Sequence, residues 1–293
     1  MNPSRGWKPL AWNGIRLEIP AAWDPSGIGR RFLMLEDRDG PTLSLRWEPI
    51  AGRFDPVRTL RKLTRAAGAN ADMAPADLPP LWEKAMKSSG GSKPHLAGFR
   101  WRDGIGALIH RSDDRTAILA AFHGESPPPA AAPLLASLRS VVGKPTRPFI
   151  LYDIRARVPA EFNLDRFRFL PGAFELEFSG TGTYLRFHRW GPASMLLDGA
   201  GLETFAHRRI PEVPKDAKAD GETLDWEASV GGPLGAILPG KRPRFEAGRI
   251  WRPPESDRIL GIVAAAPTRE AATKSRNRAA RDFGILRELA PPP

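Results

Sequence analysis

The sequence predicts an α+β fold made of two tandem repeats, each an antiparallel sheet of about six strands packed with helices. Three observations carry this. Residues Ile15 to Asp24 read IRLEIPAAWD and residues Ile154 to Asn163 read IRARVPAEFN, with apolar positions, proline and aromatic in register. Downstream matches keep offsets of 139 to 143 residues: Leu35 and Glu36 are answered by Leu176 and Glu177, and Leu45 and Arg46 by Leu185 and Arg186. The chain's 293 residues also exceed the usual size of one hydrophobic core, so two domains are expected, residues 1–146 and 147–293.

In the first repeat IRLEIP alternates apolar and polar residues as a half-buried strand does. RFLMLED and TLSLRWEPI flank Arg38, Asp39, Gly40 and Pro41, which suit a hairpin turn. Asp55 and Pro56 then offer an N-cap and a first-turn proline for a helix running to Gly68, with Val57, Leu60, Leu63 and Ala67 on one face and Arg58, Arg61, Lys62 and Arg65 on the other. Asn70 to Lys93 is rich in Pro, Ala and Ser and reads as irregular. LAGFRWRD, IGALIHR and TAILAAFHG read as strands, the last two joined through SDDR. A short helix after Pro133, presenting Leu134, Leu135, Leu138 and Val141, closes the repeat. GKPTRP is the linker.

In the second repeat FELEF and TYLRFHRW form the corresponding hairpin. ASMLLDGAGLETFAHRRI takes the place of the first helix, weakened by its glycines. ETLDWEASV and SDRILGIVAAA supply strands, with Trp226 answering Trp101, and a last helix capped by Thr268 continues through FGILREL. The second repeat alone carries a glycine-, proline- and cation-rich insertion, residues 230–249, and such loops on a rigid scaffold are common carriers of function.

This order of elements, with "I.L.IP..W", a polar turn before "R.ILA" and a closing "LL.SLR", resembles the PsbP-like superfamily. That superfamily includes the extrinsic photosystem II subunit, a Ran-binding nuclear import factor, periplasmic and lipoprotein members, and chaperones of type VI secretion effectors. The resemblance implies a non-catalytic protein that binds other proteins, as an assembly factor or chaperone does. It transfers no site residue.

The residues themselves exclude much chemistry. The chain has no cysteine, which removes disulfides, thiolate nucleophiles and cysteine zinc sites. His95, His110, His123, His188 and His207 lack the close spacing of paired metal ligands and read as strand-packed or solvent-facing. No GxSxG or GxxxxGK[ST] is present, GTGTY reads as a hairpin turn, and Asp113 and Asp114 as a polar turn pair. No enzyme activity, cofactor or metal is therefore expected. The N-terminal stretch lacks an apolar signal region and no run is long enough to span a membrane, so the expected compartment is the cytoplasm.

The formal charge is +11, with 21 basic against 14 acidic residues in the first repeat and 23 against 19 in the second. Such a balance points to acidic partners. Candidate partner-binding residues are Arg58, Arg61, Lys62 and Arg65 on the first long helix; Lys274, Arg278 and Arg281 on the last; and Lys241, Arg242 and Arg244 in the insertion. Trp251, set among cations and prolines, is the aromatic candidate, whereas Trp101 and Trp226 at equivalent positions read as packing residues. The leading reading is a protein partner; the second is nucleic acid held by the basic helices and the 241–244 loop.

Overall fold

The computed structural model describes residues 6–65, 74–90, 92–101, 104–113, 115–124, 126–230, 243–254 and 256–286. It is mostly strand, every pairing described below is antiparallel, and it divides into two compact units, Met1–Tyr152 and Asp153–Pro293. The fold class is α+β.

Unit 1 opens with β1 (Trp7–Trp12), β2 (Ile15–Pro20), β3 (Asp24–Gly29), β4 (Phe32–Asp37) and β5 (Gly40–Pro49), followed by α1 (Pro56–Arg65) and a two-residue β6 (Ala74–Pro75). It continues with α2 (Pro80–Ser88), β7 (His95–Trp101), β8 (Gly104–Arg111), β9 (Thr116–His123), α3 (Ala131–Ser137), β10 (Arg139–Ser140) and β11 (Thr146–Leu151). The main sheet has the order β3-β4-β5-β9-β8-β7-β6. A second sheet in this unit joins β10, β2, β1 and β11. Strand β11 pairs with β1, and it ends just before the division at Tyr152.

Several elements were not legible in the sequence. Strand β1 hides in WKPLAW, β3 in the turn-rich DPSGIG, and α2 in the stretch expected to be irregular. Helix α2 starts on paired prolines, tolerated in a first turn, and buries Trp82 and Met86 one turn apart. The Trp82 ring lies 4.9 Å from that of Phe122. Its C-terminal end is held by the buried Arg111, which donates to Met86 O, Ser89 Oγ, Gly90 O and Ser92 O at 2.7–3.1 Å. A cation among the last carbonyls of a helix satisfies both their lone pairs and the helix dipole.

Helix α1 is capped as expected, the Asp55 carboxylate accepting from the Arg58 backbone N–H at 3.0 Å. Its buried stripe differs: Thr59 and Leu63 face the sheet, Leu60 flanks them, and Val57 is 61% exposed. At about 100° per residue Val57 lies some 120° round from Leu63, off the buried arc. Helix α3 begins and ends earlier than expected, and Leu138 and Val141 are buried beyond its C-terminus rather than on it.

Unit 2 contains β12 (Ile154–Pro159), β13 (Asn163–Leu170), β14 (Ala173–Gly180), β15 (Thr183–Trp190), α4 (Ala193–Leu197), α5 (Gly201–Arg209) and β16 (Thr223–Ser229). Strands β17 (Phe245–Trp251) and β18 (Ile259–Ala266), helix α6 (Arg269–Asp282) and β19 (Gly284–Ile285) complete it. The sheet order β13-β14-β15-β18-β17-β16 repeats the unit 1 order β3-β4-β5-β9-β8-β7 strand for strand, and β19 pairs with β12 as β10 does with β2. GTGTY is the β14–β15 turn.

Helix α6 covers one face of the unit 2 sheet, where Ala272 meets Ala247 and Ala266 and Phe283 meets Phe187 edge-on at 4.9 Å. Thr268 caps it, Oγ1 accepting from Ala271 N at 3.2 Å. The helix ends at Asp282 instead of continuing through FGILREL, because Gly284 and Ile285 are drawn into pairing with β12. Its buried Arg276 donates to Asp225 Oδ1 and Gly248 O.

The opposite face is covered at one end by α4 and α5, with Phe205, Ala206 and Ile210 packed on Trp190, Leu224, Trp226, Ile250 and Ile259. Trp226 lies flat over its cross-strand partner Gly248, where a Cβ would fall 1.9 Å from the indole. Trp101 lies over Gly104 in the same way. Each tryptophan needs the absence of a side chain opposite it, so Gly248→Ala is expected to lower the stability of unit 2 by about 1–3 kcal/mol in denaturant unfolding. A loss below roughly 0.5 kcal/mol, the scatter of neutral surface changes, would show that Trp226 is free to move aside.

Candidate functional site

Beyond α5, that face is built from strand alternation. Side chains two apart on a strand share a face, so Glu175 and Glu177 of β14 stand beside Tyr184, Arg186 and His188 of β15, with Glu246 of β17 on the same side. Glu212, in the turn that follows α5, reaches the same place.

Arg186 is the centre. Its Nη1 donates to Glu212 Oε1 at 2.9 Å and its Nε lies 3.4 Å from Glu177 Oε1. Burial alone would lower the guanidinium pKa, but Glu212, Glu177 and Glu175 together raise it. Burial, and then the neighbouring Glu177, raise the Glu175 pKa; burial, and then Glu212, raise that of Glu246. Glu212 Oε2 is buried without a hydrogen-bond partner. His188, 6% exposed, stacks on Trp190 at 4.9 Å and 7°, with Nδ1 3.5 Å from Glu175 Oε2. Burial and then Arg186 push its pKa down to about 3, so the ring is neutral. Glu175, whose ionised form is itself disfavoured, supplies too weak a counter-charge to reverse this.

The result is an acceptor-rich surface in which Arg186 sits among four carboxylates, with Arg166 and Arg168 of β13 exposed at its margin, across from Glu177 and Glu175. A cationic group entering it would meet partly desolvated acceptors and gain charge-assisted hydrogen bonds. Among the described residues no three His, Asp or Glu side chains are placed to hold a metal ion.

No protein-family model matches the chain. No curated protein matches it either. Among solved structures it is similar to the immunity protein TplEi of T6SS from Pseudomonas aeruginosa, complexed with a peptide named "L", at 9% identity over 96% of this chain and 98% of that one, TM-score 0.34. It is also similar to MucB in complex with MucA(peri), at 10% identity over 94% of this chain and 83% of that one, TM-score 0.23.

The basic residues singled out in the sequence are spread over separate elements. Arg58 and Arg61 are exposed on α1; Lys62 is exposed but bonded to Glu48 at 2.6 Å. Burial would raise the Glu48 pKa, yet Lys62 and Arg31 hold it below the usual range. The Arg65 side chain, Lys241 and Arg242 lie outside the described residues. Arg244 is exposed just before β17, and Lys274, Arg278 and Arg281 are exposed along α6. The two basic helices hold different places in the fold: α1 covers the sheet face that α4 and α5 cover in unit 2, whereas α6 covers the other face. Trp251 is half-buried, its ring edge-on to Phe283 at 5.9 Å, which makes it part of the α6 packing.

Of the inserted segment 230–249, residues 245–249 are strand β17, and this is where Glu246 comes from. In the sequence Glu177 and Arg186 stand out only as counterparts of Glu36 and Arg46. The signal that could have marked the site is the alternation in FELEF and YLRFHRW, which puts Glu175, Glu177, Arg186 and His188 on a face that a buried sheet would leave apolar.

Proposed function

We propose that this chain is a non-catalytic, cytoplasmic protein of two PsbP-like domains that binds a protein partner, and that it does so by taking a lysine- or arginine-bearing segment onto the open face of the second sheet. The shared strand order of the two units supports the reading as a duplicated domain. The single observation that carries the binding reading is the gathering of the partly buried Glu175, Glu177, Glu212 and Glu246 around Arg186, with burial disfavouring the charge of Glu175 and Glu246. Partly desolvated carboxylates are costly in a free protein, and a partner's ammonium or guanidinium group offsets that cost on binding. The chain's positive formal charge does not oppose this, since the local field at contact distance is set by the nearest groups.

Fluorescence anisotropy with a labelled Lys/Arg-rich peptide, and with a Glu-rich peptide of equal length, tests it. The basic peptide is expected to bind, to weaken with added salt, and to lose about tenfold in affinity in the Glu175→Gln/Glu246→Gln variant, since each lost charge-assisted bond is worth on the order of 1 kcal/mol. A basic peptide that binds no better than the acidic one removes the proposal.

A further inference from the structure

Unit 1 holds a cavity of about 860 Å³ at the junction of the β5–α1 connection with β7, β8 and the β8–β9 turn. One wall is apolar, from Ile50, Phe54 and Leu108. His110 forms part of the lining, and its ring lies flat against Phe54 at 4.1 Å and 11°. The residue is 7% exposed, yet its Nδ1, buried from solvent, meets no hydrogen-bond partner.

The rim is cationic. Arg53 and Arg115 both line the cavity and are exposed, and among the described residues neither forms a salt bridge. Arg115 is held at φ +46°, and its carbonyl accepts from Ile50 N at 2.8 Å, which fixes the backbone that carries the guanidinium. Two carboxylates among the described residues nearby are bonded elsewhere: Asp55 accepts from the Arg58 N–H, and Asp113 accepts from Ser92 Oγ at 2.5 Å.

We propose that this cavity binds a carboxylate carried on a flat apolar body, the ring lying among Ile50, Phe54 and Leu108 and the carboxylate meeting Arg53 and Arg115. A free aromatic acid and a peptide ending in phenylalanine present the same chemistry. The site belongs to unit 1 and stands independently of the acidic face of unit 2.

Isothermal titration of the full chain with 2-naphthoate and with acetyl-Ala-Ala-Phe, each against its neutral form (the methyl ester and the C-terminal amide), tests it and separates the two sources. At least one acid is expected to bind, at least tenfold more tightly than its neutral form. Arg53→Gln and Arg115→Asn are each expected to weaken it about tenfold; asparagine is chosen because it tolerates a positive φ, and both sites are exposed enough to leave folding intact. Phe54→Ala is expected to weaken the acid and its neutral form alike. Neither acid binding at millimolar concentration overturns the proposal, as does equal binding of acid and neutral form, or an affinity indifferent to both arginine substitutions.

Discussion

Replacing Asp153 by alanine is expected to lower the stability of unit 2 by about 3–5 kcal/mol, because it removes one partner of a buried ion pair and leaves the other charge uncompensated. Asp153 Oδ2 accepts from Arg189 Nε at 3.1 Å, from Arg189 Nη2, and from Arg258 Nε at 2.8 Å. The Arg189 side chain is 8% exposed, with its guanidinium over the Phe174 ring at 4.6 Å, so water replaces the lost carboxylate poorly. Arg258 is 32% exposed on its side chain, and Arg258→Ala is expected to cost about 1 kcal/mol or less. Denaturant unfolding followed by circular dichroism reads both. Similar small losses for the two substitutions would mean that the Arg189 pair contributes nothing beyond a surface contact.

Acidification from pH 7 to 4.5 is expected to remove about 2–3 kcal/mol from the same unit through His188 alone. The folded ring resists protonation down to about pH 3, because it is buried and lies beside Arg186. In the unfolded chain it takes a proton near pH 6.5, so between 6.5 and 3 the unfolded state binds more protons and stability falls as the pH falls. Glu175 and Glu246 act in the opposite sense, since their raised pKa values let the folded state take up protons first. The His188→Phe variant isolates the ring: its stability relative to the parent should rise by 2–3 kcal/mol, again roughly, on going from pH 7 to 4.5. A difference that does not change with pH would place His188 in a solvated setting and contradict the burial.

Much of the architecture can be read from periodicity. IRLEIP, FELEF and TYLRFHRW alternate because their sheets are covered unequally on two faces, and Asp55 and Thr268 mark helix starts because a carboxylate or hydroxyl there satisfies a free N–H. The parts that were not legible share a cause. Strand β3, DPSGIG, carries a bulge between Pro25 and Gly27 and little apolar content, and β1 mixes Lys8 and Pro9 into a strand that is held by its neighbours β2 and β11. Helix α2 is short and opens on two prolines, so Trp82 and Met86 become its buried stripe only against Phe122 and the rest of unit 1.

The candidate site was less legible than the fold, and for a similar reason. The sequence drew attention to cations because they are in excess and cluster on helices, while the acidic cluster comes from four glutamates spread between residues 175 and 246. The sequence by itself determined the α+β class, most of the strands, the helix caps, the absence of thiol chemistry and the overall positive charge, all of which depend on local pattern or composition. Only the tertiary structure decided which charges are matched. Arg186 is shared among several carboxylates, Arg189 is neutralised by Asp153, and His110 is sealed against Phe54, because desolvation and distance depend on strands and turns far apart in the chain.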